Sequence, residues 1–226
     1  MELYVNMELS PEQEAKEEIG VNARSKKKIL SYFEPRVHMF RHSTASVGWT
    51  SRKSQEERFD AVMDLGIHEG ARILDVGCGI GQFYGFLKKR LNNFEYVGID
   101  LSAAMIEHAR NFYPDATFHH ADVLDYSSEQ RFDYAVAVGV YNVETGDNDA
   151  IIRRIIQCMY NLCSRGCAAS LTQSDDYSGT IIHSFSPANL EEFGRSLTPH
   201  VRLRNDYLPN DFMLYLVRPG NDAPTA

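Results

Sequence analysis

Asp75, Gly77, Cys78, Gly79 and Gly81 stand in one run, RILDVGCGIGQF, from Arg72 to Phe83. Their types and spacing suit one task. Glycine has no Cβ, so the chain turns tightly and a ligand can lie against its backbone. An apolar pair, Ile73 and Leu74, precedes the acid, and a helix-like pattern begins after the last glycine. A strand, a glycine-rich turn and a helix start together make a site for a nucleotide-containing cofactor, because the helix opens with free N–H groups. A dinucleotide fingerprint would read G-x-G-x-x-G. Its third glycine would fall at residue 82, which is Gln82.

The next chemistry-bearing residue is Asp100, 23 residues beyond Gly77, at the end of the apolar run Tyr96 to Ile99. An acid about 20 residues past such glycines is placed to bind a ribose diol. Ser102 reads as the N-cap of a helix running to about Phe112. A short third strand is predicted over 116–119, and Ala121-Asp122-Val123 follows it, with Asp125 as a nearby rival acid. Phe132 to Val138 is almost continuously apolar, which fits a central parallel strand covered on both faces. Val138 and Gly139 then sit at its carboxyl end, where ligands bind in open α/β sheets.

Asp75-x-Gly77-x-Gly79-x-Gly81, followed by Asp100, resembles motif I and its partner acid in the class I S-adenosylmethionine-dependent methyltransferases. The resemblance covers about residues 54–218. It implies an α/β fold, Rossmann-like, with a seven-stranded and mostly parallel sheet flanked by helices. A C-terminal hairpin, predicted over Val201–Leu208 and Phe212–Val217, would supply its one antiparallel strand. The implied cofactor is S-adenosylmethionine, with S-adenosylhomocysteine as product. Carried over by position, Asp75, Gly77, Cys78 and Gly79 form the loop and Asp100 takes the ribose. Leu101 and Met105 lie against the adenine. Asp122 meets its amino group, the Val123 N–H a ring nitrogen, and Val138 and Gly139 the methionine end. Two further segments, GWTSRKSQEERF (48–59) and LRNDYLPNDFMLYL (203–216), resemble a loosely defined set of bacterial methyltransferases.

Methyl transfer is an in-line displacement, so the protein must align the acceptor, exclude water and, for some acceptors, take a proton. Tyr141, His38 and His183 are the catalytic candidates. His38 and His42 stand four apart and would share a helix face. Tyr32, His42, Trp49 and Asn142 are the candidates for holding the acceptor. Glu144, the 173–185 insertion with Asp175, Asp176 and Tyr177, and the hairpin residues Asp206, Tyr207 and Asp211 lie in the same expected region. The expected reaction is methyl transfer to an O or N atom of a small molecule. A macromolecular acceptor, a silent cofactor-binding module and aminopropyl transfer are the alternatives. The paired acids expected of the last are missing from VGVYNVETGD, and no Asn-Pro-Pro-Tyr motif of base methylation follows the fourth strand.

These residues need a scaffold. Residues 1–53 read as an acidic, helical segment serving as a lid, and 54–220 as the methyltransferase domain. Pro35 is expected to interrupt the lid helix. Ser54-Gln55-Glu56-Glu57 matches a capping box and opens a helix to about Leu65. A helix over 149–164 and a fifth strand over 167–173 are expected, then a helix from Ser186-Pro187 to about Leu197. The chain has 226 residues, 43% of them hydrophobic and 24% charged, which fits one soluble globular unit. Its net charge of −8 argues against a nucleic-acid partner, and RSKKK (24–28) reads as a solvated helix face. No apolar run approaches the ~18 residues of a membrane span. The N-terminal residues show no signal pattern, so a cytoplasmic location is expected. The four cysteines fit no metal framework and read as reduced thiols. Neither a monomer nor a homodimer is favoured.

Overall fold

The computed structural model describes residues 20–49, 51–173 and 181–220. Its strands are β1 (Arg72–Val76), β2 (Glu95–Asp100), β3 (Thr117–His120), β4 (Phe132–Val138), β5 (Cys163–Thr172), β6 (Val201–Arg204) and β7 (Asp211–Val217). They form one sheet in the order β3-β2-β1-β4-β5-β7-β6. β1 pairs in parallel with both β2 and β4, so the chain builds outward from β1 in two directions. That reversal leaves a crevice at the carboxyl ends of β1 and β4. β7 runs antiparallel between β5 and β6. The seven-stranded, mostly parallel sheet with an antiparallel C-terminal strand is therefore as the sequence implied.

Successive side chains of a strand point to opposite faces, and β1 shows the consequence. Leu74 and Val76 pack on one face with Ile152, Ile155 and Met159 of α5 (Asn148–Leu162). Ile73 packs on the other with Phe59 and Val62 of α2 (Arg52–Met63) and with Phe83 and Leu87 of α3 (Gln82–Leu87). Ile106 and Ala109 of α4 (Ala103–Phe112) join this second face. α6 (Pro187–Leu197) adds Leu190 to the first. α1 (Ala23–Phe40) comes first in the described chain. Its Ile29 and the preceding Val21 belong to the same core cluster as β4 and α5.

Several local expectations need correction. α1 runs through Pro35 instead of breaking there. Proline removes one helical donor and leaves the carbonyl four residues back unpaired. Ser31 and Pro35 are both exposed, so water can serve that carbonyl. α1 ends at Phe40, and Arg41 takes a positive φ of 51°. His42 therefore lies beyond the helix and shares no helix face with His38. α2 is capped by Ser51, whose Oγ accepts from the Ser54 N–H at 3.0 Å, so Ser54 is in the first turn rather than at the cap. β5 starts at Cys163, four residues before the expected start, and α5 ends at Leu162, two residues before the expected end. β6 ends at Arg204, where the guanidinium turns aside to Asp206 and Asp64 at 2.7 and 2.8 Å. Among the described residues, no helix is long and apolar enough to cross a membrane. All four cysteines are free thiols.

Candidate active site

The loop after β1 is stitched to β2. The N–H groups of Gly77 and Cys78 both donate to the Ile99 carbonyl, at 2.8 and 3.0 Å. This turn needs left-handed backbone at Gly77 (φ 69°) and Gly79 (φ 53°), a conformation glycine adopts without penalty. Asp75 is 2% exposed and accepts the Tyr96 hydroxyl at 2.6 Å. Burial pushes its carboxyl up to about 7, with the Tyr96 hydrogen bond opposing and the Asp100 charge adding. Asp75 and Cys78 do not face the main cleft. They line a small recess beside it, together with Gln55 and Gln82.

Asp100 does face the cleft. Its Oδ2 accepts from the Gly79 N–H at 2.9 Å and its Oδ1 from the Ser102 N–H at 2.8 Å. Burial raises its pKa, and these two donors work against that rise. The carboxylate is thus fixed in orientation, with lone pairs left for a diol. Ser102 caps α4 through the Met105 N–H at 3.2 Å, which brings Met105 to the cleft wall beside Leu101. Val123, Val138 and Gly139 complete the sheet side. Ile29, Leu30 and Phe33 of α1, then Val47 and Trp49, form the opposite wall. The cleft holds about 720 Å³ of empty space, part of it open to solvent.

A nucleoside with an amino-acid tail fits this set of residues. The glycines at 77, 79 and 139 present bare backbone, Asp100 presents an oriented acid, and the adjoining wall is apolar. Asp122 is placed differently from the expectation. It is 8% exposed and does not line the cleft. Its Oδ2 accepts from the Val21 N–H at 2.9 Å and pairs with Lys26 Nζ at 3.0 Å, and its Oδ1 takes the Leu124 N–H at 3.0 Å. It holds the chain entering α1. The α1 residues of the wall, and Val47, were not singled out from sequence. Their signal is the spacing of Ile29, Phe33 and Val37 along α1, which marks one apolar face.

Residues 73–162 match the family described as a methyltransferase domain. The fold is that of a magnesium protoporphyrin IX methyltransferase from Synechocystis PCC 6803, solved with S-adenosylhomocysteine: TM-score 0.66 at 16% identity, covering 86% of this chain and 99% of that one. The chain's fold is thus the class I methyltransferase fold. A second structural neighbour is the 1,6-didemethyltoxoflavin-N1-methyltransferase of Burkholderia thailandensis, solved with 1,6-didemethyltoxoflavin and S-adenosylhomocysteine. It has TM-score 0.62 and 17% identity, and covers 96% of this chain and 94% of that one. Among curated relatives, a dTDP-3-amino-3,6-dideoxy-alpha-D-glucopyranose N,N-dimethyltransferase of Streptomyces fradiae is 41% identical over 64 residues. That match covers 28% of this chain and 24% of the relative. A trans-aconitate 2-methyltransferase of Escherichia coli is 40% identical over 65 residues, covering 29% and 26%. The matched stretch thus spans about a quarter of the length of these curated relatives.

The residues expected to hold or activate an acceptor separate. Tyr141 lines the cleft, with a left-handed φ of 58°. Burial, then the charges of Asp122, Asp100 and Asp147, push its hydroxyl well above the usual phenol range. Trp49 lies against Gly139, where an added Cβ would fall 2.3 Å from indole Cζ2. Tyr32 is next door, in an outer groove beside Arg24, Lys27 and Lys28, with the Arg36 guanidinium 3.6 Å above its ring. Asn142 Oδ1 is buried without a partner among the described residues, while its backbone carbonyl accepts the His183 N–H at 2.7 Å. His183 Nδ1 is 2.8 Å from Glu144 Oε2, and the ring lies outside the cleft. His38 is exposed at the end of α1 and also outside it. His42 is farther off, stacked on Phe112 at 3.5 Å. Burial, then the neighbouring His108, lowers its pKa to about 4, so it is a neutral packing ring at pH 7. Asp175, Asp176 and Tyr177 lie outside the described residues.

Proposed function

We propose that this protein transfers a methyl group from S-adenosylmethionine to an O or N atom of a small-molecule acceptor. One observation carries the reading. The Gly77–Gly79 turn, the oriented carboxylate of Asp100 and the bare backbone of Gly139 wall a single cleft at the carboxyl ends of β1, β2 and β4. When bound, the cofactor supplies an electrophilic methyl on a sulfonium sulfur.

The chain's own residues bind, orient and exclude water. Asp100 holds the ribose hydroxyls, and Leu101 and Met105 offer an apolar bed to the base. Val47, Trp49 and Phe33 cover the cleft from above and keep water from the reacting centre. Tyr141, a neutral phenol beside Gly139, orients the acceptor by packing and hydrogen bonding and does not act as a base. A small acceptor is favoured because α1 residues Ile29, Leu30 and Phe33, with Val47 and Trp49, narrow the cleft with apolar side chains. The relatives that act on a sugar nucleotide, on aconitate and on didemethyltoxoflavin point the same way.

Calorimetric titration with S-adenosylmethionine, S-adenosylhomocysteine and NADH tests this reading. Micromolar binding of the two sulfur cofactors and none of NADH is expected. Loss of a bidentate, charge-assisted contact should make Asp100→Ala bind at least about 10-fold more weakly. Unchanged affinity in that variant would remove Asp100 from the ribose site.

A further inference from the structure

The two segments that resemble other methyltransferases, 48–59 and 203–216, lie some 150 residues apart in sequence and meet in space. Their meeting point is Arg58 with Asp211. Arg58 Nε and Nη2 both reach Asp211 Oδ2 at 2.7 Å, and Nη1 donates to the Ser54 carbonyl at 2.9 Å. The other carboxylate oxygen of Asp211 accepts from Ser170 Oγ at 2.8 Å and from the Tyr207 hydroxyl. Asp211 is 1% exposed and Arg58 9%. With both oxygens occupied and the guanidinium plane fixed at three atoms, neither side chain is free to turn.

That fixed plane is not idle. The guanidinium carbon sits 4.0 Å from the centroid of the Trp49 ring. The indole also meets Gly139, at the Cζ2–Cη2 edge of its ring, and the Gly139 N–H donates to the carbonyl of the same Ser170 that holds Asp211, at 3.0 Å. The indole is therefore touched at its edge by the carboxyl end of β4 and over its face by a cation anchored on β7. A bare backbone at 139 is what lets it approach so closely.

We propose that Arg58 is a positioning residue, held by Asp211, Ser170 and Tyr207, that fixes the Trp49 indole against Gly139 as a wall of the methyl-transfer site. A lone buried ion pair stabilises a fold little when compared with apolar packing. This one instead delivers a flat cation to a single aromatic ring. The inference rests on the proposed function only for its cofactor-binding readout.

Trp49 is the only tryptophan of the chain, so its emission reports this ring alone. The test uses the full chain and two variants, Arg58→Lys and Asp211→Asn. Arg58→Lys keeps the charge beside Asp211 and loses the planar stack. Three quantities are compared with wild type: acrylamide quenching of Trp49, affinity for S-adenosylhomocysteine by calorimetry, and thermal midpoint. In Arg58→Lys the quenching constant should rise about two- to three-fold. The dissociation constant for S-adenosylhomocysteine should rise about three- to ten-fold, the size expected for a lost cation–π contact. Asp211→Asn should move both the same way. A lower thermal midpoint with quenching and affinity unchanged in both variants would make the pair merely structural and overturn the proposal. If wild type binds no S-adenosylhomocysteine, the proposed function fails, while the quenching comparison still decides whether Arg58 positions Trp49.

Discussion

Asp75 is buried with a single hydroxyl partner, and its carboxyl titrates near 7 instead of in the ordinary acid range. Its folded-state pKa is raised above the unfolded value, so the native state holds the proton longer than the unfolded chain does. Stability from this group is greatest below about pH 4 and falls as the pH rises toward 7. Asp100 acts in the same sense. Asp75→Asn keeps an oxygen to accept from Tyr96 and cannot ionise. It should therefore gain on wild type between pH 4.5 and pH 7.5, by an amount on the order of a few kcal/mol at most. Urea midpoints of the two proteins at both pH values check this, and parallel midpoints would show that Asp75 ionises without cost. At this scale the sequence was readable where a residue's backbone does the work. Gly77, Gly79 and Gly139 line the cleft because their conformation and lack of Cβ are properties of glycine itself. It was less readable where a side chain's partner decides. Asp122 matched a motif position, but Val21 and Lys26, a hundred residues away, take its carboxylate.

α1 is held at its start by Asp147, which precedes α5. Ser25 Oγ donates to both of its oxygens, at 2.9 and 3.0 Å, and Asn22 Nδ2 donates to one of them while its Oδ1 caps the helix at the Ser25 N–H. Burial would raise the Asp147 pKa, but hydrogen bonds from Thr145, Ser25 and Asn22 outweigh it and leave it low. Its contribution is present above the ordinary carboxylate pKa and is lost as the pH falls. Asp147→Ala should cost about 1–3 kcal/mol. It should also speed hydrogen exchange in α1 more than in α5, because α1 loses its anchor. Equal protection of both helices would show that core packing of Ile29 suffices. The elements themselves were mostly legible: each of β1, β2 and β4 carries an apolar run ending in a chemistry-bearing residue. Their edges were not. Whether Ser51 or Ser54 caps α2 depends on a backbone turn that both sequences allow, and Pro35 stays helical because its face is wet.

At the scale of the whole molecule, cofactor and fold are linked, since a ligand that binds only the native state stabilises it by mass action. At a hundred times its dissociation constant, S-adenosylhomocysteine should add about 2.7 kcal/mol. For a chain of this size, at about 2–4 °C per kcal/mol, that raises the thermal midpoint by about 5–11 °C. A scan with and without the compound checks it, and Asp100→Ala should show a smaller rise at the same concentration. Fold class was legible because the motif residues stand in or just after successive apolar strands along the chain. The full wall of the cleft was not, because it is assembled from α1, the segment ending at Trp49 and the ends of β1, β2 and β4. No local pattern announces that meeting. The position of β7 also bears on how the protein is made. This strand is buried at all seven residues and lies between β5 and β6, yet it is translated after both. Until the ribosome has released residues 211–217, β5 presents a bare edge of unpaired N–H and C=O groups, and β6 has no neighbour. A nascent chain halted before that point is expected to be a substrate for chaperones and to aggregate, since an open strand edge is a template for another chain.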